Sequence, residues 1–376
     1  MPTPRAKSSS KRPLWIMILI SMVCLSLILV HLNPPEYSPC YLLWSKFCNR
    51  LDYWPPPVPA RVRTDEELSA KVIIDDILSM QISPPKNPKI AFMFLTPGAL
   101  PFEKLWEKFF LGHEDRFSVY VHASREKKIR VSSFFIGRDV RSKMVYWGQI
   151  SMIDAEKRLL ATALQDAGNQ HFVLLSESCV PLHNFDYTYN YLMGSNISYV
   201  DCFEDPGPHG MGRYSENMLP EIVSKDWRKG SQWFSIKRKH ALILLSDSLY
   251  YNKFKFFCRP HMDGDKNCYS DEHYLPTLLS MFDPTGIANW SITHVDWSEG
   301  KWHPKSYRAE DATFELLKYI GSIDGSYHVT SGAKQVVLQK PCMWNGTKRP
   351  CYLFARKFRA EALDNLMNIF SNFTIF

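Results

Sequence analysis

The longest unbroken apolar stretch is "LWIMILISMVCLSLILVHL", 19 residues from Leu14 to Leu32 without Lys, Arg, Asp or Glu. That is about the length a helix needs to cross a bilayer's hydrocarbon core. The next periodic segment is "TDEELSAKVIIDDILSM", where Leu68, Val72, Ile73, Ile77 and Leu78 recur at helical spacing and Thr64 with Glu67 matches a capping box. A lone helix with one such face is expected to pack onto the domain that follows. Prolines at 34, 35, 39, 55, 56, 57, 59, 84, 85 and 88 surround it and keep the chain extended, so residues 33–88 read as a stem. From Lys89 the pattern changes. "KIAFMFL" (89–95), "RFSVYVH" (116–122) and "HFVLLS" (171–176) predict buried strands, and "DAEKRLLATALQDAG" (154–168) predicts a helix stopped at Gly168. Strands alternating with helices imply an α/β domain, residues 89–376, with a mostly parallel sheet. Ligands in such sheets sit beyond the carboxyl ends of the strands, which points to "TPG", "VHAS" and "SES".

Charge gives the apolar run a direction. Arg5, Lys7, Lys11 and Arg12 precede it and no basic residue follows until Lys46, so residues 1–13 are expected in the cytosol and the rest beyond the membrane. A cleaved signal peptide would want a shorter run and a small-x-small site, which "HLNPPEYSPC" lacks; 14–32 therefore reads as an uncleaved type II anchor. Net charge is +7, and the tail supplies four of those charges, so the remainder is only mildly basic and no nucleic-acid partner is expected.

The topology gives meaning to two further counts. Of nine cysteines, Cys24 falls in the apolar run and eight would face an oxidising compartment, where pairing is expected. The neighbours Cys40/Cys48, Cys258/Cys268 and Cys342/Cys351 suggest local bridges. Asn196, Asn289, Asn345 and Asn372 each begin an N-x-Ser/Thr sequon, as a secretory-pathway protein would carry.

Three segments carry candidate chemistry. "NCYSDEHYLPTLL" sets Asp271, Glu272 and His273 side by side at a helix start, and taken alone "SDE" is best explained as a helix cap. "HMDGDKNC" contains Asp263 and Asp265, a DxD pair, but one such pair is about what chance gives among so many aspartates. A metal-holding pair would be expected just after "HFVLLS", where the chain has Ser176, Glu177 and Ser178, a thin oxygen set for Mg²⁺ or Mn²⁺. Between Gly325 and Ala360 lie seven basic residues and no acid: Lys334, Lys340, Lys348, Arg349, Arg356, Lys357 and Arg359. Most such runs are solvated faces. "CYLFARKF" differs, because its basic pair interrupts an apolar segment and so predicts semi-buried cations near a ligand.

"KIAFMFLTPGALPFEKLWEKFF", "FSVYVHAS", "YWGQISMIDAEKRLL", "HFVLLSESCVPL", "WRKGSQWFSIKRKHA", "SDEHYLPTLL", "THVDWS" and "CYLFARKF" follow one another in an order that resembles the core-2/I-branching β-1,6-N-acetylglucosaminyltransferase family, in its plant branch. The match covers roughly residues 85–370, and blocks in series are far more specific than any one motif. The resemblance implies a GT-A-like glycosyltransferase fold, a UDP-sugar donor, a glycan or glycoprotein acceptor, inversion at the anomeric carbon, and no cofactor or divalent metal. With the anchor and stem, it implies a single-pass type II Golgi membrane protein whose catalytic domain is luminal.

The same resemblance makes Glu272 the general base and assigns Lys357 to the donor phosphates. The family's partner arginine has no unambiguous counterpart, with Arg349 and Lys334 as candidates. Thr96, His122, Glu177 and Arg356 complete the expected donor side; Trp297, Arg213 and Trp233 form the expected acceptor side. Where animal members place an aspartate after "HV", this chain has Ala123, so the transferred sugar does not carry over. A related xylosyl- or glucuronosyltransferase acting on cell-wall or proteoglycan-type glycans is the alternative enzyme, and a non-catalytic membrane-tethered glycan-binding protein the alternative from another class.

Overall fold

The structure is a computed structural model that describes residues 14–32, 62–79, 85–126, 129–262, 266–301, 303–332, 334 and 336–371. It divides into two units, Met1–Val62 and Arg63–Phe376. In the first, α1 (Leu14–Leu32) is a single uncharged helix. Among the described residues no helix is long and apolar enough to cross a membrane. The expected Cys40–Cys48 bridge, the Pro-rich segment 33–61 and the Asn372 sequon lie outside the described residues.

The second unit runs α2 (Asp65–Ser79), β1 (Lys89–Thr96), α3 (Glu103–Phe110), β2 (Phe117–Ala123), α4 (Ser151–Ala163) and β3 (Asn169–Ser176). It continues through β4 (Val180–Pro181), α5 (Phe185–Met193), β5 (Ser198–Asp201), β6 (Ser235–Lys237), α6 (Arg238–Ser246), α7 (Leu249–Phe257) and α8 (Ser270–Phe282). After β7 (Ile287–Asn289) and β8 (Thr293–Val295) come α9 (Phe314–Ser322), β9 (Gly325–Val329), β10 (Val337–Pro341), β11 (Met343–Trp344), β12 (Thr347–Lys348), β13 (Phe354–Arg356) and α10 (Leu363–Ser371).

Six strands form the central sheet in the order β2-β1-β3-β6-β5-β7. The half predicted from sequence is parallel: β1 pairs in parallel with β2 and with β3. β6 then runs antiparallel to β3 and to β5, while β7 returns parallel to β5. Side chains alternate across a strand, and β1 shows the result. Ile90, Phe92 and Phe94 enter one core with Trp106, Phe110 and Phe185, while Ala91, Met93 and Leu95 enter another with Leu159, Leu160 and Tyr274. A strand covered on both faces has to read as a continuous apolar run, as "KIAFMFL" does.

The helix predicted over 154–168 spans 151–163 instead. Asn169 Nδ2 donates to the Ala163 carbonyl at 2.8 Å and so closes the helix early, while Gly168 N donates to Asp166 Oδ1 at 2.8 Å in the turn into β3. α2 begins with the expected capping box: Thr64 N donates to Glu67 Oε2 at 2.8 Å, and Glu67 N donates to Thr64 Oγ1 at 3.2 Å. The helix rests on its own unit through Asp65 with Lys143 (2.6 Å) and Arg158 (2.8 Å), Asp76 with Arg238 (2.6 Å), and buried Val72. Burial pushes the Asp65 carboxyl up, but the bonds from Lys143 and Arg158 outweigh it and hold it below its usual value. Thr64→Ala is expected to cost about 1 kcal/mol, the usual loss for an N-cap, read as a lower urea midpoint at unchanged slope.

Cys258–Cys268 and Cys342–Cys351 are bridged, as their spacing suggested. The expectation that the remaining cysteines pair fails for Cys179 and Cys202, which stay buried as thiols. Cys179 Sγ lies 3.3 Å from both the amide and the hydroxyl of Ser176, and Cys202 Sγ donates to the Pro276 carbonyl.

Candidate active site

The parallel register brings the three predicted strand ends together. Thr96 is level with Ala123, and Leu95 with Ser176. Thr96 is enclosed and its hydroxyl is used locally, donating to the Ala99 carbonyl at 2.7 Å and accepting from Gly98 N at 3.0 Å. His122 is fully buried and accepts from Lys143 N at 3.3 Å. Burial, with Arg158 adding to it, lowers His122 to about 4, so the ring is neutral at physiological pH.

The basic pair of "CYLFARKF" lies against the turn after β3. β13 pairs with β4 so that Ala355 is level with Val180, and Phe358 N donates to the Ser178 carbonyl at 3.0 Å. Arg356 is half-buried with its guanidinium 4.3 Å from the Trp233 ring centre, and its Nε is enclosed without a hydrogen-bond partner. Burial lowers this guanidinium from its ordinary value, and Cys179 and Glu177 act in the opposite direction. Lys357 is half-buried and makes no ion pair among the described residues, whereas Glu177 is half-buried beside the pair.

Glu272 occupies the first turn of α8, and the helix-cap explanation for "SDE" does not hold. The N-cap residue is Tyr269, no side chain caps the helix, and Ser270 Oγ donates away to the Cys258 carbonyl. Instead Glu272 Oε2 accepts from Arg213 Nη1 at 2.5 Å, with the glutamate side chain 26% exposed. Arg213 is further fixed over the Tyr269 ring at 4.5 Å. His273 is buried, stacked on Trp227 at 4.6 Å with Nδ1 2.8 Å from the Arg228 carbonyl, and burial lowers it to about 3. It is a packed, neutral ring. Asp271, expected as a cap, is pushed by burial and by Glu272 to about 7.

The segment "WRKGSQW" touches both Glu272 and Arg356. Gly230 N donates to the Glu272 carbonyl at 2.8 Å, Gln232 Nε2 donates to Glu156 Oε1 at 3.1 Å, and Trp233 lies under Arg356. Three residues span at most about 11 Å, so Glu272 and Arg356 are held on the same side of the fold by one short strap. Glycine is required in it, because a Cβ on Gly230 would come within 1.9 Å of the Asp201 carbonyl oxygen. A cleft of about 440 Å³ opens beside Lys229, lined by Asp205, Met211, Trp227 and Arg228, with Thr330 and Leu338 of the β9–β10 region opposite. A larger cavity, about 630 Å³, lies between α2, α4 and the α6–α7 corner and contains none of the strand ends.

The other predicted residues fall in varied places. Trp297 is 54% exposed two residues beyond β8, whose Val295 is level with Arg356. Trp233 is 6% exposed and works as the floor under Arg356 rather than as an open platform. Arg213 pairs with Glu272 instead of standing free for an acceptor. Arg349 is caged by Tyr191 at 3.4 Å, Tyr199 and Trp344, and donates to the Tyr199 hydroxyl, so its charge is committed to packing and not to the donor side expected of it. Lys334 is exposed. Among the described residues no three or more His, Cys, Asp or Glu gather as metal ligands, and Asp263 and Asp265 lie outside those residues. Glu156 escaped the sequence reading, although helical period puts it on the buried stripe of Met152, Leu159, Leu160 and Ala163.

Comparison with known proteins bears on the same domain. A family model described as Core-2/I-Branching enzyme matches residues 90–321. Glycosyltransferase BC10 of Oryza sativa subsp. japonica is 39% identical over 317 residues, which covers 76% of this chain and 77% of that protein. The chain belongs to the core-2/I-branching enzyme family. It is a glycosyltransferase, and its mixed α/β sheet fits a GT-A-like domain. In this core-2/I-branching enzyme the matched region contains Glu272, Arg213 and the strap, and ends before Lys357.

Proposed function

We propose that this chain transfers a sugar from a UDP-sugar to a hydroxyl of a glycan or glycoprotein, with inversion, without a divalent metal, and with Glu272 as general base. The observation that carries this reading is the Arg213–Glu272 contact at 2.5 Å, which fixes a partly exposed carboxylate in the first turn of α8. Proton removal requires a base within hydrogen-bond reach of the attacking hydroxyl, and a carboxylate suits that task. As the acceptor oxygen bonds to the anomeric carbon, the bond to the diphosphate breaks and the acceptor's proton passes to Glu272. Lys357 and Arg356, beside the turn that follows β3, would receive the charge that develops on the leaving UDP. Trp297 and the cleft beside Lys229 are the acceptor side of this scheme.

We also propose that the protein is a type II Golgi membrane enzyme with its catalytic domain luminal. An uncharged 19-residue helix after a basic tail supports the anchor. Two disulfides and the exposed sequon asparagines Asn196 and Asn345 suit an oxidising, glycosylating compartment; Asn289 is half-buried and less accessible.

The test is UDP-sugar binding by the purified protein. Cations holding a diphosphate predict affinity that falls steeply between low and high salt and does not respond to EDTA. Affinity lost in EDTA and restored by Mn²⁺ would sink the cation reading.

A further inference from the structure

The cleft of about 440 Å³ beside Lys229 contains a cation whose donors are not engaged. Lys229 N donates to the Phe203 carbonyl at 2.9 Å and Phe203 N donates to the Lys229 carbonyl at 2.8 Å, so the backbone that carries the lysine is fixed. Its side chain is 19% exposed, and among the described residues the nearest carboxylate oxygen, Asp205 Oδ2, is 3.8 Å from Nζ, beyond hydrogen-bond reach. Asp205 is already engaged by the β9–β10 connection: Oδ1 accepts from Ser331 N at 2.9 Å and from Gly207 N at 2.9 Å, and Oδ2 accepts from Ser331 Oγ at 2.7 Å. The other acid of the lining, Glu204, is 74% exposed and lies 3.0 Å from Arg228 Nη2. Lys225, also in the lining, is exposed and makes no ion pair among the described residues. Met211, Val336 and Leu338 are apolar walls, as is the Trp227 ring, whose Nε1 donates to the Gly210 carbonyl at 3.1 Å. An ammonium carries three donors, and withdrawing it from water with none of them bonded is costly unless a ligand supplies acceptors.

We propose that this cleft is a subsite for an anionic sugar unit of the acceptor glycan, a uronate or a sulfated sugar, whose negative group bonds to Lys229. The proposal rests on the reading of Glu272 as base and of this cleft as acceptor side. Two segments of the lining lead directly to Glu272. Gly230, next after Lys229, donates to the Glu272 carbonyl at 2.8 Å, and Met211 stands two residues before Arg213, which holds the Glu272 carboxylate. The carboxylates near the ammonium are occupied by donors of their own, Asp205 by Ser331 and Gly207, Glu272 by Arg213. Burial lowers the Lys229 ammonium from its ordinary value, and Glu272 and Asp205 oppose that shift; a bound anion acts in the same direction as they do. A charge-assisted bond is stronger than one to a neutral hydroxyl, and apolar walls strengthen it further, so an anion fits this site better than a neutral sugar.

The test compares methyl β-D-glucuronide, methyl β-D-glucoside 6-sulfate and methyl β-D-glucoside, which share one pyranose and differ at C6. Ligand-observed NMR titrations use the full-length protein with UDP present to fill the donor side. The wild type should bind one of the two anions about fivefold or more tighter than the neutral glycoside, and the tighter anion identifies the negative group. Lys229→Met keeps the aliphatic stem and removes the charge, so the preference should disappear; in Lys229→Arg it should persist. Rising salt should shrink it in the wild type.

Equal affinity for all three glycosides in the wild type, or a preference that survives in Lys229→Met, would overturn the subsite. Should Lys229→Met not fold, Lys225→Glu, at an exposed position of the same lining, takes its place: it should reduce the preference, and an unmoved preference there would overturn the subsite. Affinity is read without transfer, so a failure of Glu272 as base would show in turnover and a failure of the subsite in binding.

Discussion

Glu272→Gln is expected to lower transfer to a working acceptor by about 100-fold or more while leaving UDP-sugar binding in place, the range that follows loss of a general base. The amide has the size of the carboxylate and its oxygen can still accept from Arg213, so the geometry of the first turn of α8 persists. What disappears is the ability to take a proton. Arg213 loses its countercharge in a largely enclosed position, where an unpaired cation is costly, so a melting curve has to accompany the kinetics. The Tyr269 ring beneath its guanidinium limits that loss. Asp271→Asn changes charge by the same amount one residue away and should cost transfer much less. Near-normal turnover by Glu272→Gln in a folded protein would reduce "SDEHY" to a helix start and send the search for the base to Glu177 or Asp296.

Much of the fold was legible because its central strands obey a simple rule. β1 and β3 are covered on both faces, so they appear as unbroken apolar runs and their ends can be read to within a residue or two. β5, β6 and β7 were not legible, because strands of three or four residues give no period to detect and their pairing is set by long-range contacts. The antiparallel turn of the sheet at β6 was missed for that reason. α4 shows how tertiary bonding decides a boundary: Asn169, eighteen positions from the helix start, ends it by reaching back to Ala163.

At the site, side-chain type was easier to read than side-chain use. Glu272, Arg356 and Lys357 are all partly buried, but the sequence gives no sign that Arg213 pairs with Glu272 or that Trp233 forms a floor for Arg356. Arg349 illustrates the difference between a charge and an available charge. Its neighbours in sequence, Lys348 and Pro350, give no sign that Tyr191 and Tyr199, far away in the chain, enclose it. Sequence position cannot distinguish that cation from Lys357, whereas burial and partners can.

Lys357→Ala is expected to lower kcat/KM by about 100-fold, with losses in donor affinity and in turnover, whereas Lys340→Ala should change either by less than about twofold. The contrast rests on preorganisation. On one side of Lys357, Arg356 is fixed over Trp233; on the other, Phe358 N is bonded to the Ser178 carbonyl. The Lys357 carbonyl itself accepts from Tyr307 N, and Arg359 N donates to the Tyr307 carbonyl, so the backbone is tied on both sides of the lysine. A cation held in this way, half-buried and without an ion pair among the described residues, would on the proposed scheme meet the charge of a departing UDP without rearrangement. Lys340 sits exposed on β10, where water already solvates it and a phosphate would gain little. Salt should therefore weaken donor binding by the wild type more than by Lys357→Ala, since removing the contact removes its share of the salt dependence. Equal losses at Lys340 and Lys357 would mean that the basic run from Lys334 to Arg359 acts only as a solvated face, and the site would have to find its phosphate cations elsewhere.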